Sequence, residues 1–195
     1  MSFTTGTQTE LLYTLQAAVT KNTYTTEAAF SGVAGTNPIC SLPAGYFASE
    51  VPNPVGRSLY LKCAGTIATT SAATIAINLG FDSAAGTKAN SVTVMAATAP
   101  VAAITATWAL EAWYTCTAFV TTQMTLQVNG NYRMEGAAAG GAAVATALST
   151  GFQGSISGAT MDPRVQYYIE LFGTWSASAA GNTTTLQQML LFGLD

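Results

Sequence analysis

Apolar residues fall at every second position through several stretches of this chain, and that period-two alternation predicts β-strands wherever it recurs. From Arg57 one face reads Leu59, Leu61, Cys63 and Ile67, while Ser58, Tyr60, Lys62 and Thr66 point the other way. After a short link at Thr69 to Ala72 the pattern resumes in Ile75, Ile77, Leu79 and Phe81. The segment from Thr107 to Phe119 sets Trp108, Leu110, Tyr114 and Cys116 against Glu111, Trp113, Thr115 and Thr117. The next, Met124 to Met134, sets Met124, Leu126, Val128, Tyr132 and Met134 against Gln123, Thr125, Gln127, Asn131 and Arg133, so the two form a hairpin through Val120 to Thr122. Asn129-Gly130 is ordinarily a turn signal, but the apolar phase runs through it unchanged. A bulge or kink inside one long strand is therefore expected there in preference to a second hairpin.

Towards the C-terminus Val165, Tyr167, Ile169 and Leu171 oppose Gln166, Tyr168, Glu170 and Phe172, and Ser176 to Asn182 makes a polar turn. The last strand, Thr183 to Leu194, is apolar on both faces: Leu186, Leu190 and Phe192 alternate with Met189 and Leu191. Such a strand is central in its sheet, or its outer face is covered by another subunit. Residues 9–21 fit either a helical face (Leu11, Leu12, Leu15, Ala18, Val19) or an extended strand, and the β-prone run that follows favours the strand. The segment from Ile39 to Phe47 reads as a short edge strand leaving into a loop. Asp82 to Ser91 reads as a second loop, and the Ala/Gly tract Gly136 to Ala147 as a third, mobile one.

Seven or eight strands with hardly any helix predict an all-β fold, a two-sheet antiparallel sandwich that is Greek-key or, by preference, jelly-roll-like. Residues 1–20 are expected to be an N-terminal arm or first strand, and 21–195 a single sandwich domain.

Composition sharpens this picture. Only 8% of the 195 residues are charged, against roughly 25% in soluble domains, so the surface is built from neutral polar and small residues and suits a protein covered by neighbours. The net charge of −3 and the scattering of Lys21, Arg57, Lys62, Lys88, Arg133 and Arg164 argue against nucleic acid as a partner. The start MSFTTGTQTE carries neither a basic nor an apolar leader region, and no stretch has the roughly 20 apolar residues of a spanning helix. The expectation is a protein made in a reducing cytoplasm, without a membrane partner. Cys40, Cys63 and Cys116 are odd in number and widely spaced, which predicts small buried side chains and neither a disulfide framework nor a zinc site.

The chain has no histidine, and the Ser-His-Asp and Cys-His constellations go with it. A glycosidase needs only two carboxylates, and Glu111, Glu135, Asp162 and Glu170 lie in or beside strands. They read more simply as polar strand-face residues, or, for Asp162 with Pro163, as the start of a turn. Neither a cofactor nor catalytic residues are predicted. Asn182-Thr183-Thr184 matches a glycosylation sequon and reads as part of a turn. Trp113, Tyr168 and Phe172, large aromatics on otherwise polar faces, are the candidate protein interface, together with Met189 and Leu191 on the doubly apolar last strand.

The C-terminal segment LFGTWSASAAGNTTTLQQMLLFGLD resembles small virion proteins of tailed bacteriophages, and YTTEAAFSG and GRSLYLKCAGTIATT are similar to the same class. The resemblance implies a jelly roll, frequently trimeric, that decorates the capsid as a cement protein or serves as a minor capsid or tail component. It brings no catalytic residues. Its implied partners are copies of itself and the major capsid protein of a phage shell, and its implied location is the virion, after synthesis in the host cytoplasm. Residues Met1 to Gln8 would then serve as an arm onto the shell. Two other classes share the fold: a tail-associated receptor or carbohydrate-binding module, marked by an exposed aromatic row beside a polar cleft, and a polysaccharide-cleaving enzyme, marked by a carboxylate pair in a groove.

Overall fold

The structure is a computed structural model that describes residues 9–22, 24–31, 39–47, 55–69, 73–98, 104–120, 122–138, 145–157 and 161–194. The alternating segments form strands as their period requires, and among the described residues there is no helix. The strands are β1 (Thr9–Thr14), β2 (Val19–Asn22), β3 (Ala28–Ala29), β4 (Ser41–Leu42), β5 (Ser58–Ala68), β6 (Ile75–Asp82), β7 (Ser91–Thr98), β8 (Ile104–Val120), β9 (Gln123–Ala138), β10 (Ala145–Ser157), β11 (Tyr167–Trp175) and β12 (Thr183–Leu194).

Two antiparallel sheets result. The larger has the order β1-β12-β5-β8-β9-β10, with β2 also on β12; the smaller has the order β3-β11-β6-β7, with β4 also on β11. Apart from the β9–β10 hairpin, which widens one sheet only, this is the strand order of a jelly roll, so the predicted two-sheet sandwich is what the chain forms.

The inward faces make one core. Leu59, Leu61, Cys63 and Ile67 of β5 meet Ile75, Ile77, Leu79 and Phe81 of β6 and Tyr167, Ile169 and Leu171 of β11, all essentially inaccessible. Phe81 ties the layers together: its ring stacks on Tyr167 at 4.7 Å within its own sheet and tilts against Tyr114 of the larger sheet at 5.5 Å. Cys40, Cys63 and Cys116 are buried and unpaired, as their spacing predicts, and burial raises the pKa of each thiol.

Several details correct the sequence reading. Asn129-Gly130 lies in an unbroken ladder with both β8 and β10, without a bulge. Gly130 is there because a Cβ would strike the Phe152 ring and the Glu111 carbonyl oxygen. The register shift falls instead at Leu186/Gln188 of β12, and it exchanges the faces of everything after it. Met189 and Leu191, assigned to an outer interface, therefore point into the core and are fully buried, while Leu190 and Phe192 sit half-exposed outside. Residues 9–22 are extended, as expected, but bent into two strands on the same partner, so much of the segment 1–20 belongs to the sheet; Met1 to Gln8 lie outside the described residues. The Ala/Gly tract is strand at both ends, where Ala145 pairs with Gly136, and its middle, 139–144, lies outside the described residues.

Candidate functional site

The outer face of the larger sheet carries the densest arrangement of exposed functional side chains. In an antiparallel ladder directly opposed residues share a face, so pairing alone defines rows across the strands. One row runs Leu11, Phe192, Tyr60, Trp113, Asn129 and Gln153 across β1, β12, β5, β8, β9 and β10. Its three rings stack, Phe192 on Tyr60 at 6.0 Å and Tyr60 on Trp113 at 5.0 Å, with interplanar angles of 23° and 30°. Since strands lie about 4.8 Å apart, rings at this spacing stand upright on the sheet like books on a shelf. Both faces of Tyr60 are covered, whereas the far face of Trp113 looks along the row over Asn129. Trp113 is 39% exposed, as its polar-face position predicts.

The adjoining rows are polar. Lys62 pairs with Glu111 and Glu111 with Asn131; one rung further Ala109 faces Arg133, and beyond it Thr107 faces Glu135. The short Ala109 side chain leaves a trough between β8 and β9. It opens as a depression of about 260 Å³ along Thr107, Ala109, Arg133 and Glu135, and continues as one of about 120 Å³ along Ala109, Glu111, Asn131 and Arg133. Arg133 and Glu135 form an ion pair at 3.3 Å, and Ser149 donates to the Asn131 side-chain oxygen at 3.4 Å. Two cations, Lys62 and Arg133, balance two carboxylates, Glu111 and Glu135, so the trough is near neutral.

The outer face of the smaller sheet is closed by the protein's own chain. Glu170, read from the sequence as a polar strand-face residue, is only 2% exposed and accepts the Gly86 backbone N–H at 2.6 Å. Burial raises its pKa, the Gly86 hydrogen bond opposes that, and nearby Asp82 adds to the rise. The loop between β6 and β7 is pinned further by Asp82, which accepts from Ser83 N and Asn90 N, and by Glu27, which bonds Asn78 and pairs with Lys88. Phe172 lies flat over Gly80 and is 3% exposed, so it is occupied within the subunit and is not an open interface residue; Tyr168 beside it is half-buried.

The other singled-out groups serve local structure. Asp162 accepts the Arg164 N–H at 2.9 Å and its guanidinium at 2.7 Å, and Arg164 holds the carboxyl down to about 2, which makes the predicted turn. Asn182 of the sequon is fully buried, accepting from Thr69 and donating to Ala177 O, so its amide is not presented to solvent. Glu111 and Glu135 share the trough on neighbouring strands and stand two rungs apart. Among the described residues no three acidic or thiol side chains group as metal ligands.

No protein-family model and no curated protein matches this chain.

Of the candidate interface residues the structure therefore leaves Trp113 on an open face, joined by residues that the pattern did not single out: Tyr60, Phe192, Asn129, Asn131 and Arg133. The β8–β9 pairs lie one residue off a straight count back from Val120 and Gln123, because the ladder shifts register at Cys116/Ala118. Phe192 joins the row on the outer face only after the bulge in β12.

Proposed function

We propose that this chain is a non-enzymatic structural subunit of a phage particle that decorates or cements the shell as a homotrimer, meeting the next copy through the side formed by β7 and β10. What supports this most directly is the chemistry of that side. β10 has 13 residues and β7 has eight, each is the last strand of its sheet, and neither contains a charged residue or a proline. The two edges lie together, the β10 backbone at Gly154 running close against Val92 of β7.

Edges of this length are ordinarily blunted by charge, proline or brevity, because their free N–H and C=O groups template pairing with other chains. The opposite side obeys that rule: β1 carries Glu10, β2 carries Lys21, and β3 and β4 have two residues each. The open side supplies one half of a contact, and a ring of three closes where it meets a different surface of the next copy, whereas two open sides meeting each other would stop at a dimer. The low charge content, the jelly-roll strand order and the resemblance of the C-terminal segment point the same way.

Light scattering coupled to gel filtration tests the reading. The expected mass is about three times the 20.0 kDa of the chain, and it should fall towards one chain in the double variant Thr93→Lys/Ser155→Lys, which places charge on both open edges at exposed positions. A monomer at every concentration, or a trimer indifferent to both lysines, would overturn it.

A further inference from the structure

We infer that the trough between β8 and β9, together with Trp113 on the rung beside it, binds a neutral saccharide. This goes beyond the assembly reading and uses a different surface: the trough lies on the outer face of the larger sheet, while the proposed subunit contact is at its edge.

Four features of this face select this ligand class. The first is the upright Trp113 ring. One face is spent on Tyr60, and the other is turned across Asn129, where it offers a flat apolar wall to the C–H face of a pyranose. The second is the run of groups beside it. Asn129, Asn131, Glu111 and Arg133 stand on consecutive rungs, and together they offer amide and guanidinium donors next to amide and carboxylate acceptors. Hydroxyls on neighbouring sugar carbons are both donors and acceptors and need that mixture within a few ångströms.

The third is electrostatic: with Lys62 and Arg133 balanced by Glu111 and Glu135, the trough has no net charge with which to gather a polyanion, and its carboxylates repel one. The fourth is shape. The two depressions adjoin at Ala109 and Arg133 and both are open to solvent, so an internal stretch of a glycan chain can lie along the strands as readily as its end. A flat apolar contact suited to another protein is not what this face offers. Of the large exposed apolar residues of the described chain, Leu11, Val55, Trp113, Val120 and Val165, only Leu11 belongs with Trp113 to the aromatic row.

Saturation-transfer NMR on the full-length protein, with maltohexaose, chitohexaose and mannohexaose as probes and a heparin hexasaccharide as the anionic control, tests the inference. At least one neutral hexasaccharide should bind and the heparin fragment should not. Trp113→Ala should weaken binding at least tenfold and Asn131→Ala several-fold, in variants whose gel-filtration mass is unchanged. Asn131→Ala removes a half-solvated amide on a polar face and keeps the test valid if the tryptophan variant fails to fold. Three results overturn the inference: no neutral probe binds, heparin binds more tightly than any of them, or binding survives both substitutions. If no saccharide binds and Trp113→Ala changes the oligomeric mass, the face is a contact between subunits.

Discussion

Leu190 and Leu191 are chemically identical neighbours on opposite faces of β12, and the bulge at Leu186/Gln188 decides which of them faces the core. Without that bulge the strand would keep the phase of Leu186, and Leu190 would be the buried one. Truncating each to alanine therefore measures the bulge directly. Leu191 is fully inaccessible, inside a core containing Leu59, Leu61 and Met189. For a leucine so placed, the loss of transfer free energy plus the cavity left behind amounts to about 3–4 kcal/mol. Leu190 stands half-exposed over Lys62, and its truncation should cost about 1 kcal/mol or less. At roughly 2–4 °C per kcal/mol for a domain of this size, Leu191→Ala should lower Tm by about 6–16 °C and Leu190→Ala by no more than about 4 °C. Urea titration with an unchanged m-value would show that both act on the folded state, and both are to be run at one protein concentration because assembly adds to apparent stability. If Leu190→Ala proves the more damaging of the two at every dilution, the strand has no bulge and the face assignment is wrong.

Two further outcomes follow from close contacts and from titration. Gly65→Ala should destabilise the protein by more than about 2 kcal/mol in the same urea titration, because its Cβ would meet the Thr185 carbonyl and come within 2.8 Å of the Trp108 ring; a loss under about 0.5 kcal/mol would mean that β5 and β12 are not held so closely. Glu170 has a folded pKa raised above its unfolded value, so the stability it contributes is present below the unfolded pKa and is lost as pH rises through the folded one. Glu170→Gln, whose side-chain oxygen can still accept from Gly86, should therefore gain on the wild type as pH rises from the ordinary carboxylate range through the raised folded pKa; a variant that loses ground over that rise would show that the charge stabilises the loop.

The long strands were legible because their apolar residues keep phase: β5, β6, β8, β9 and β11 each bury the face that alternation assigns to the core. β10 was not read as a strand because only Phe152 and Ile156 of its described side chains turn inward, with Gly154 between them making room for Val92. β7 was passed over for a related reason, since adjacent Val94 and Met95 are both buried where the ladder with β6 shifts register. The error at Met189 and Leu191 has one cause: on a strand apolar on both sides a one-residue bulge leaves no trace in the pattern. Phe172 and Glu170 were misplaced because their cover comes from elsewhere in the chain, a ring over Gly80 and a loop amide, neither of which alternation reports. The trough needed pairing as well as periodicity, because Trp113 belongs with Asn129 and Glu111 with Asn131 only through register.

The last strand lies one in from the edge of the larger sheet, hydrogen-bonded to β1 and β2 on one side and to β5 on the other. While the ribosome is still making the chain, that slot is vacant, and β5 presents an unfilled edge and half of an open core. Pairing β1 with β12 also brings together segments far apart in sequence, Thr9 with Leu194, which is the slow kind of step in folding. A product that stops before β12 would therefore lack the strand that joins β1 and β2 to β5 and would not fold into a trimmed version of the same protein.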